Sequence, residues 1–248
     1  MQARKPLIVG NWKMHKTIAE MRVFVADVRA RGLPTADVDA VICPPFTALS
    51  AAHEVLAGSA IGLGAQNVCW EDDGAFTGEI SPVMLVECGV TWVVIGHSER
   101  RHLFGELDER VNEKARAALA HGITPIVAVG ETAEEHAAGQ ARAKVCAQVQ
   151  AAFEGVPTAD VARCVVAYEP IWAIGTGNAD SPAEANHIMG EIRAKLPGLD
   201  HARILYGGSM KPDNVAAFVA QPNIDGGLVG GASLDPASFA ALLEGARV

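Results

Sequence analysis

No cationic run in the sequence is longer than two residues; Arg4-Lys5 and Arg100-Arg101 are its densest basic clusters. With a formal net charge of −9 over 248 residues, this absence excludes a nucleic-acid or anionic-membrane surface, because a polyanionic partner is held by a local basic patch. There is no CxxC pair and no short Cys/His spacing: the five cysteines, Cys43, Cys69, Cys88, Cys146 and Cys164, lie far apart. Neither a zinc site nor a disulfide framework is indicated, so a metal-free protein with reduced thiols in a cytoplasmic setting is expected. No apolar run reaches the ~18 residues of a membrane span, and the stretch from Met1 to Gly10 lacks the apolar region of a signal peptide. Linkers, low-complexity tracts and charge runs are also missing, which predicts a single domain over residues 1–248.

Short apolar runs are what the chain has in quantity. Eight recur, at Leu7–Gly10, Ala40–Cys43, Ile61–Ala65, Trp92–Ile95, Pro125–Val129, Cys164–Tyr168, Arg203–Tyr206 and Gly227–Val229. Between them lie helical signals. Leu107, Val111, Ala115, Ala118 and Leu119 follow helical spacing, and Ser181-Pro182-Ala183-Glu184 reads as a capping box with proline at the first helical position. Ser81-Pro82 and Asp235-Pro236 repeat the cap-then-proline device, and Ala133–Phe153 reads as one longer helix. Near-continuous apolar strands alternating with helices demand a parallel sheet covered on its outer face. Eight such units in a chain of this length predict an α/β, single-domain closed (β/α)8 barrel. An open doubly wound sheet is the alternative, disfavoured because the first strand-to-helix turn, Gly10 to His15, lacks GxGxxG.

In a barrel the strand ends open onto one face, and polar residues able to do chemistry cluster there. Asn11 and Lys13 follow the first strand; two apart on an extended segment, they would point to the same side. His97 follows the fourth strand at the start of a helix, where the helix dipole disfavours a cationic imidazole and favours a neutral hydrogen-bond donor. Glu169 stands where the sixth strand leaves the sheet, followed by Pro170 and a glycine-bearing loop. Tyr206-Gly207-Gly208-Ser209 and the turn through Gly230-Gly231 follow the last two strands, where unobstructed backbone amides can cradle a phosphate. Taken singly, each has an ordinary structural reading: a solvated carboxylate, a structural histidine, a tight turn. Their joint placement favours an anion-binding site with a base.

The segments Asn11-Trp12-Lys13, Ile95 to Arg101, Ala167 to Gly177, Tyr206 to Ser209 and Leu228 to Leu234 together resemble, in order and along nearly the whole chain, the triosephosphate isomerase family. The resemblance implies a triose phosphate substrate, interconversion of dihydroxyacetone phosphate and D-glyceraldehyde 3-phosphate through an enediolate, and no cofactor. It implies Glu169 as the base, His97 as the neutral electrophile, Lys13 as the cation and Asn11 as a donor to the same oxygen region. Phosphate would rest on amides of Gly175, Ser209, Gly230 and Gly231. Ser98 and Glu99 would support His97 and Lys13. Pro170, Ile171, Trp172, Ala173, Ile174, Gly175, Thr176 and Gly177 would form a lid, bonded when closed by Tyr206 and Ser209. Gln66-Asn67 and Gly74 to Glu79, with Thr77 at the tip, resemble a loop that enters a second subunit, which implies a homodimer. The chain departs from the family's pattern at Ala128, where a cysteine is common, at Ile171 in place of valine, and at the hinge Asn178-Ala179-Asp180. A phosphate-binding barrel without turnover is one competing reading, spoken against by the conjunction of Asn11, Lys13, His97 and Glu169. An epimerase or aldolase barrel is another, but it would want a metal-binding set or a Schiff-base lysine.

Overall fold

All eight apolar runs are β-strands in the structure, a computed structural model that describes residues 4–174 and 180–247. They are β1 (Leu7–Asn11), β2 (Asp39–Cys43), β3 (Ile61–Ala65), β4 (Trp92–Ile95), β5 (Thr124–Val129), β6 (Val165–Tyr168), β7 (Arg203–Tyr206) and β8 (Gly226–Val229). Each pairs in parallel with its neighbours, and Val9 of β1 lies opposite both Val41 of β2 and Leu228 of β8. The last pairing closes the sheet into a barrel and rules out the open doubly wound alternative.

The helices on the outside are α1 (Ile18–Arg31), α2 (Leu49–Leu56), α3 (Pro82–Glu87), α4 (Ser98–Phe104), α5 (Asp108–Ala120), α6 (Ala133–Ala137), α7 (Ala141–Ala152), α8 (Thr158–Val161), α9 (Pro182–Arg193), α10 (Val215–Val219) and α11 (Pro236–Gly245). Strand alternation divides the apolar side chains into two layers. Leu7, Val9, Val41, Val94, Ile126, Ala128, Val165, Ala167, Leu205 and Leu228 fill the barrel interior. Ile8, Ile42, Val127, Val166 and Ile204 face outwards and are sealed by residues such as Phe24, Val111, Val145, Ile188 and Phe239 from the helices. Among the described residues no helix is long and apolar enough to cross a membrane.

Two expected helical features differ. Ala133–Phe153 is not one helix: α6 ends at Ala137 and α7 begins at Ala141, because Gly139 takes a left-handed φ of 70° that an α-helix cannot continue through. The box at Ser181 is only half formed. Its hydroxyl accepts from Glu184 N at 3.1 Å, but its own N–H donates to Asp180 Oδ1 at 2.7 Å and leaves the Glu184 side chain no role there. Ser81 and Asp235 cap α3 and α11 as expected.

A buried charged cluster pins the end of β4. Glu106 accepts from Gly96 N and Arg100 Nε, both at 2.8 Å, and from Lys114 Nζ, which also donates to Asn67 Oδ1 at 2.9 Å. Burial presses the Glu106 pKa upwards, yet Lys114 with these donors outweighs it and holds the carboxyl below the usual carboxylate range. Its contribution is therefore present above the ordinary pKa and is lost as pH falls through the lowered one. Glu106→Ala strands the Lys114 ammonium in the core and is expected to cost ~3–5 kcal/mol, measured by denaturant unfolding at neutral pH.

Candidate active site

Asn11, Glu169, Gly207 and Gly230 each lie two residues beyond an inward-facing apolar residue, so the alternation that packs the barrel interior also delivers them to its mouth. There they line, with Lys13, His97, Ile174, Ser209 and Gly231, a cavity of about 330 Å³. Met210, Lys211 and Leu228 also contribute to its wall. Asn11, His97 and Glu169 are buried, whereas Lys13 is partly open to the cavity.

Lys13 reaches this cavity by a different route from the extended spacing expected of it. Its backbone is left-handed, with φ 52°, a conformation that costs a lysine ~1–3 kcal/mol unless its surroundings enforce it. The enforcement is visible: Asn11 Oδ1 accepts from Lys13 N at 3.1 Å, and Gln66 Nε2 donates to Lys13 O at 2.8 Å and to Cys43 O at 2.9 Å. The ammonium is 2.6 Å from Glu99 Oε1. A Cβ at Gly230 would lie 3.5 Å from Lys13 Cε, so the cation stands beside the glycine turn.

His97 caps α4. Its Nδ1 accepts from Glu99 N at 3.2 Å, which puts the ring proton on Nε2, and Nε2 is 3.0 Å from Glu169 Oε1. The other carboxylate oxygen, Oε2, accepts from Ser98 N at 2.9 Å. Burial is the largest influence on both side chains, and each is overridden by the other. Burial lowers the His97 pKa, but the Glu169 carboxylate raises it overall; burial raises that of Glu169, but His97, the Ser98 N–H and Lys13 lower it overall. Glu169 is thus ionised at neutral pH. The neutral state expected of His97 from the helix terminus alone omits this carboxylate; moving Glu169 away removes the largest raising influence and leaves Glu99 alone against burial, Lys13 and the α4 terminus. Gly207 makes room for Glu169: a Cβ there would lie 2.8 Å from Glu169 Cγ.

Beside Lys13, Gly230 and Gly231 enter a single 3-10 turn, Gly231–Ser233, and a Cβ at Gly231 would meet nothing within 4 Å. Ser209, which lines the same cavity, donates from Oγ to Ala173 O at 2.6 Å. Pro170 leads into another 3-10 turn, Ile171–Ala173, and Ile174 lines the cavity. Trp172 Nε1 donates to Glu131 Oε1 at 2.8 Å, the oxygen that also accepts from Tyr168 OH at 3.1 Å. Tyr206 OH accepts from Asp180 N at 3.0 Å. Gly175, Thr176, Gly177, Asn178 and Ala179 lie outside the described residues. Glu131, fully buried and joined to both Tyr168 and Trp172, was not among the expected residues. Its place just past β5 follows the strand-end rule that singled out Glu169.

The Gly74–Glu79 loop stands off the barrel with Thr77 exposed. Phe76 packs edge-on against Trp70 at 5.9 Å between ring centroids, Arg110 lies 4.2 Å over Trp70, and Asp72 pairs with His121 at 3.1 Å. A second, smaller hollow adjoins Asn11, Lys13 and His97, and Met14, Phe46 and Phe104 around it are exposed.

Residues 6–246 match the family model described as triosephosphate isomerase. The chain is 54% identical to the triosephosphate isomerase of Chloroflexus aurantiacus over 247 residues, covering 97% of this chain and 99% of that one. It is 52% identical to that of Symbiobacterium thermophilum over 249 residues, covering 98% and 97% respectively. Against that of Roseiflexus castenholzii it is 51% identical over 242 residues, 95% of each chain.

Proposed function

The chain belongs to the triosephosphate isomerase family, and from that premise we propose how its residues divide the interconversion of dihydroxyacetone phosphate and D-glyceraldehyde 3-phosphate. Glu169 takes a proton from the carbon beside the carbonyl and returns it to the neighbouring carbon. His97 Nε2–H polarises the carbonyl oxygen and passes a proton between the two oxygens. Lys13, with Asn11, stabilises the negative charge of the enediolate. The amides of Gly175, Ser209, Gly230 and Gly231 hold the phosphate. The observation that carries this assignment is the 3.0 Å approach of His97 Nε2 to an ionised, buried Glu169 across a cavity that Lys13 also enters. Binding alone needs no base opposite a donor.

The formal charge of −9 does not oppose a dianionic substrate, since Lys13, Lys211 and oriented amides set the local field. Proton transfer by a carboxylate and an imidazole requires neither metal nor cofactor. A coupled assay of D-glyceraldehyde 3-phosphate isomerisation with chelator present tests the reading: full activity is expected, and activity restored only by added metal would contradict it. Pro170–Gly177 acts as the lid that keeps water from an enediolate prone to losing phosphate. Ser209→Ala, which removes the bond to Ala173 O as well as a phosphate neighbour, is expected to raise KM by roughly 10-fold with a smaller fall in kcat.

The functional unit is a homodimer in the cytoplasm. The exposed Thr77 loop of one copy enters the hollow beside Asn11, Lys13 and His97 of the other, covering Met14 and Phe104. Support comes from the preorganised loop and the apolar rim, 94% exposed at Met14 and 69% at Phe104. Phe104→Glu is expected to give monomers in sedimentation equilibrium at micromolar protein, with depressed turnover; an unchanged dimer would contradict the contact.

A further inference from the structure

Five buried side-chain polar atoms among the described residues have no hydrogen-bond partner, and three of them, Glu131 Oε2, His136 Nδ1 and Asp180 Oδ2, belong to one cluster. Buried carboxylate oxygens are normally satisfied, so a concentration of exceptions calls for a cause. Glu131 and Asp180 are both more than nine-tenths buried. Glu131 Oε1 holds Trp172 and Tyr168, while His136 Nδ1 lies 3.5 Å from that same oxygen, too long for a firm bond, and its ring packs on Trp172 at 4.4 Å. Asp180 is fixed by its backbone N–H to Tyr206 OH and by Oδ1 to Ser181 N, which leaves Oδ2 with nothing. The cluster thus lies beneath both Trp172, just after Pro170, and the residue that leads into α9.

We infer that Asp180 is a proton-linked positioning residue: its carboxyl group, buried near Glu131 and His136, keeps residue 180 against Tyr206 when neutral and drives it out when ionised. The groups that face it come from every element around the cluster. Glu131 after β5 and Glu184 on α9 repel the carboxylate, His136 on α6 attracts it when charged, and the hydroxyls of Tyr168 on β6 and Tyr206 on β7 complete the pocket. Burial is the strongest influence; the Ser181 N–H opposes it, but with the two carboxylates burial moves the Asp180 pKa up from 3.8 to about 6. The sign follows from linkage. The tucked arrangement is favoured fully below pH 3.8 and loses that advantage as pH rises through about 6. At neutral pH the ionised carboxylate therefore works against the contact between the Asp180 N–H and Tyr206 OH, and so aids release. This role rests on the lid assignment above.

The test uses Asp180→Asn, which keeps the shape and cannot ionise, with Asp180→Ala as a second variant, and glycerol 3-phosphate as a phosphate ligand that lacks the reacting carbonyl. The ratio of wild-type to variant Kd cancels the ligand's own titration. It is expected to rise by at least ~3-fold between pH 5 and pH 8 for both variants, with a midpoint near 6, and the Asn/Ala ratio is expected to stay constant. The melting temperature of Asp180→Asn should exceed that of the wild type by more at pH 8 than at pH 5. A wild-type to variant ratio that is flat with pH for both substitutions would overturn the inference. Because this readout needs no turnover, a protein that binds with this pH dependence but fails to isomerise would contradict the proposed function and leave the inference standing.

Discussion

Replacing Glu169 by Gln is expected to lower kcat by at least ~10²-fold while leaving affinity for phosphate-bearing ligands nearly unchanged, the pattern of a lost general base. Glutamine fills the same volume in a pocket where the native side chain is 2% exposed, and it can still accept from Ser98 N, so the fold has no reason to change. What it loses is the capacity to take a proton. Glu169→Asp tests position instead of chemistry: the carboxylate survives but is withdrawn from the cavity by one methylene, and a displacement of ~1 Å at a reacting centre can cost ~10²-fold. Comparable losses in the two variants require both the charge and its placement. Single-turnover kinetics combined with direct phosphate-ligand titration separate the two quantities, and wild-type-like turnover in either variant would sink the assignment.

Lys13→Met is expected to lower kcat/KM by ~10²–10³-fold, because it removes the cation proposed to stabilise the enediolate. Methionine matches the stem of lysine but leaves Glu99, now 2.6 Å from the ammonium, as an uncompensated negative charge beside the site. Binding of a dianion should weaken along with the chemical step, so KM should rise as kcat falls. That split differs from the one expected at Glu169. A variant with normal KM and normal kcat would remove Lys13 from the mechanism.

Strand alternation makes much of this architecture legible before any coordinates. Val165, Ala167 and Glu169 form one inward row, so reading the apolar run also places the Glu169 carboxylate at the barrel mouth. The same holds for Leu205 and Gly207, and for Leu228 and Gly230. What could not be read depends on contacts distant in sequence. Lys13 is held left-handed by Gln66, 53 positions away, and a strand-like spacing of Asn11 and Lys13 carries no trace of that contact. The state of His97 depends on its burial and on Glu169, which follows another strand, and neither can be read from its own helix terminus. The break at Gly139 is legible in principle, since a glycine in a helical pattern is a candidate terminus. Glu131 obeys the strand-end rule; its bonds to Tyr168 and Trp172 across 37 and 41 positions are what distinguish it from a solvated carboxylate.

The central claim is that Glu169 moves the proton between adjacent carbons of a triose phosphate, aided by His97 and Lys13. Conversion of D-glyceraldehyde 3-phosphate in heavy water with chelator present, followed by mass spectrometry of the dihydroxyacetone phosphate formed, tests it most directly. The wild type is expected to give rapid turnover with solvent deuterium entering at C1, and Glu169→Gln to lose turnover and label together by at least ~10²-fold. Deuterium-labelled product formed at the wild-type rate by Glu169→Gln would contradict it.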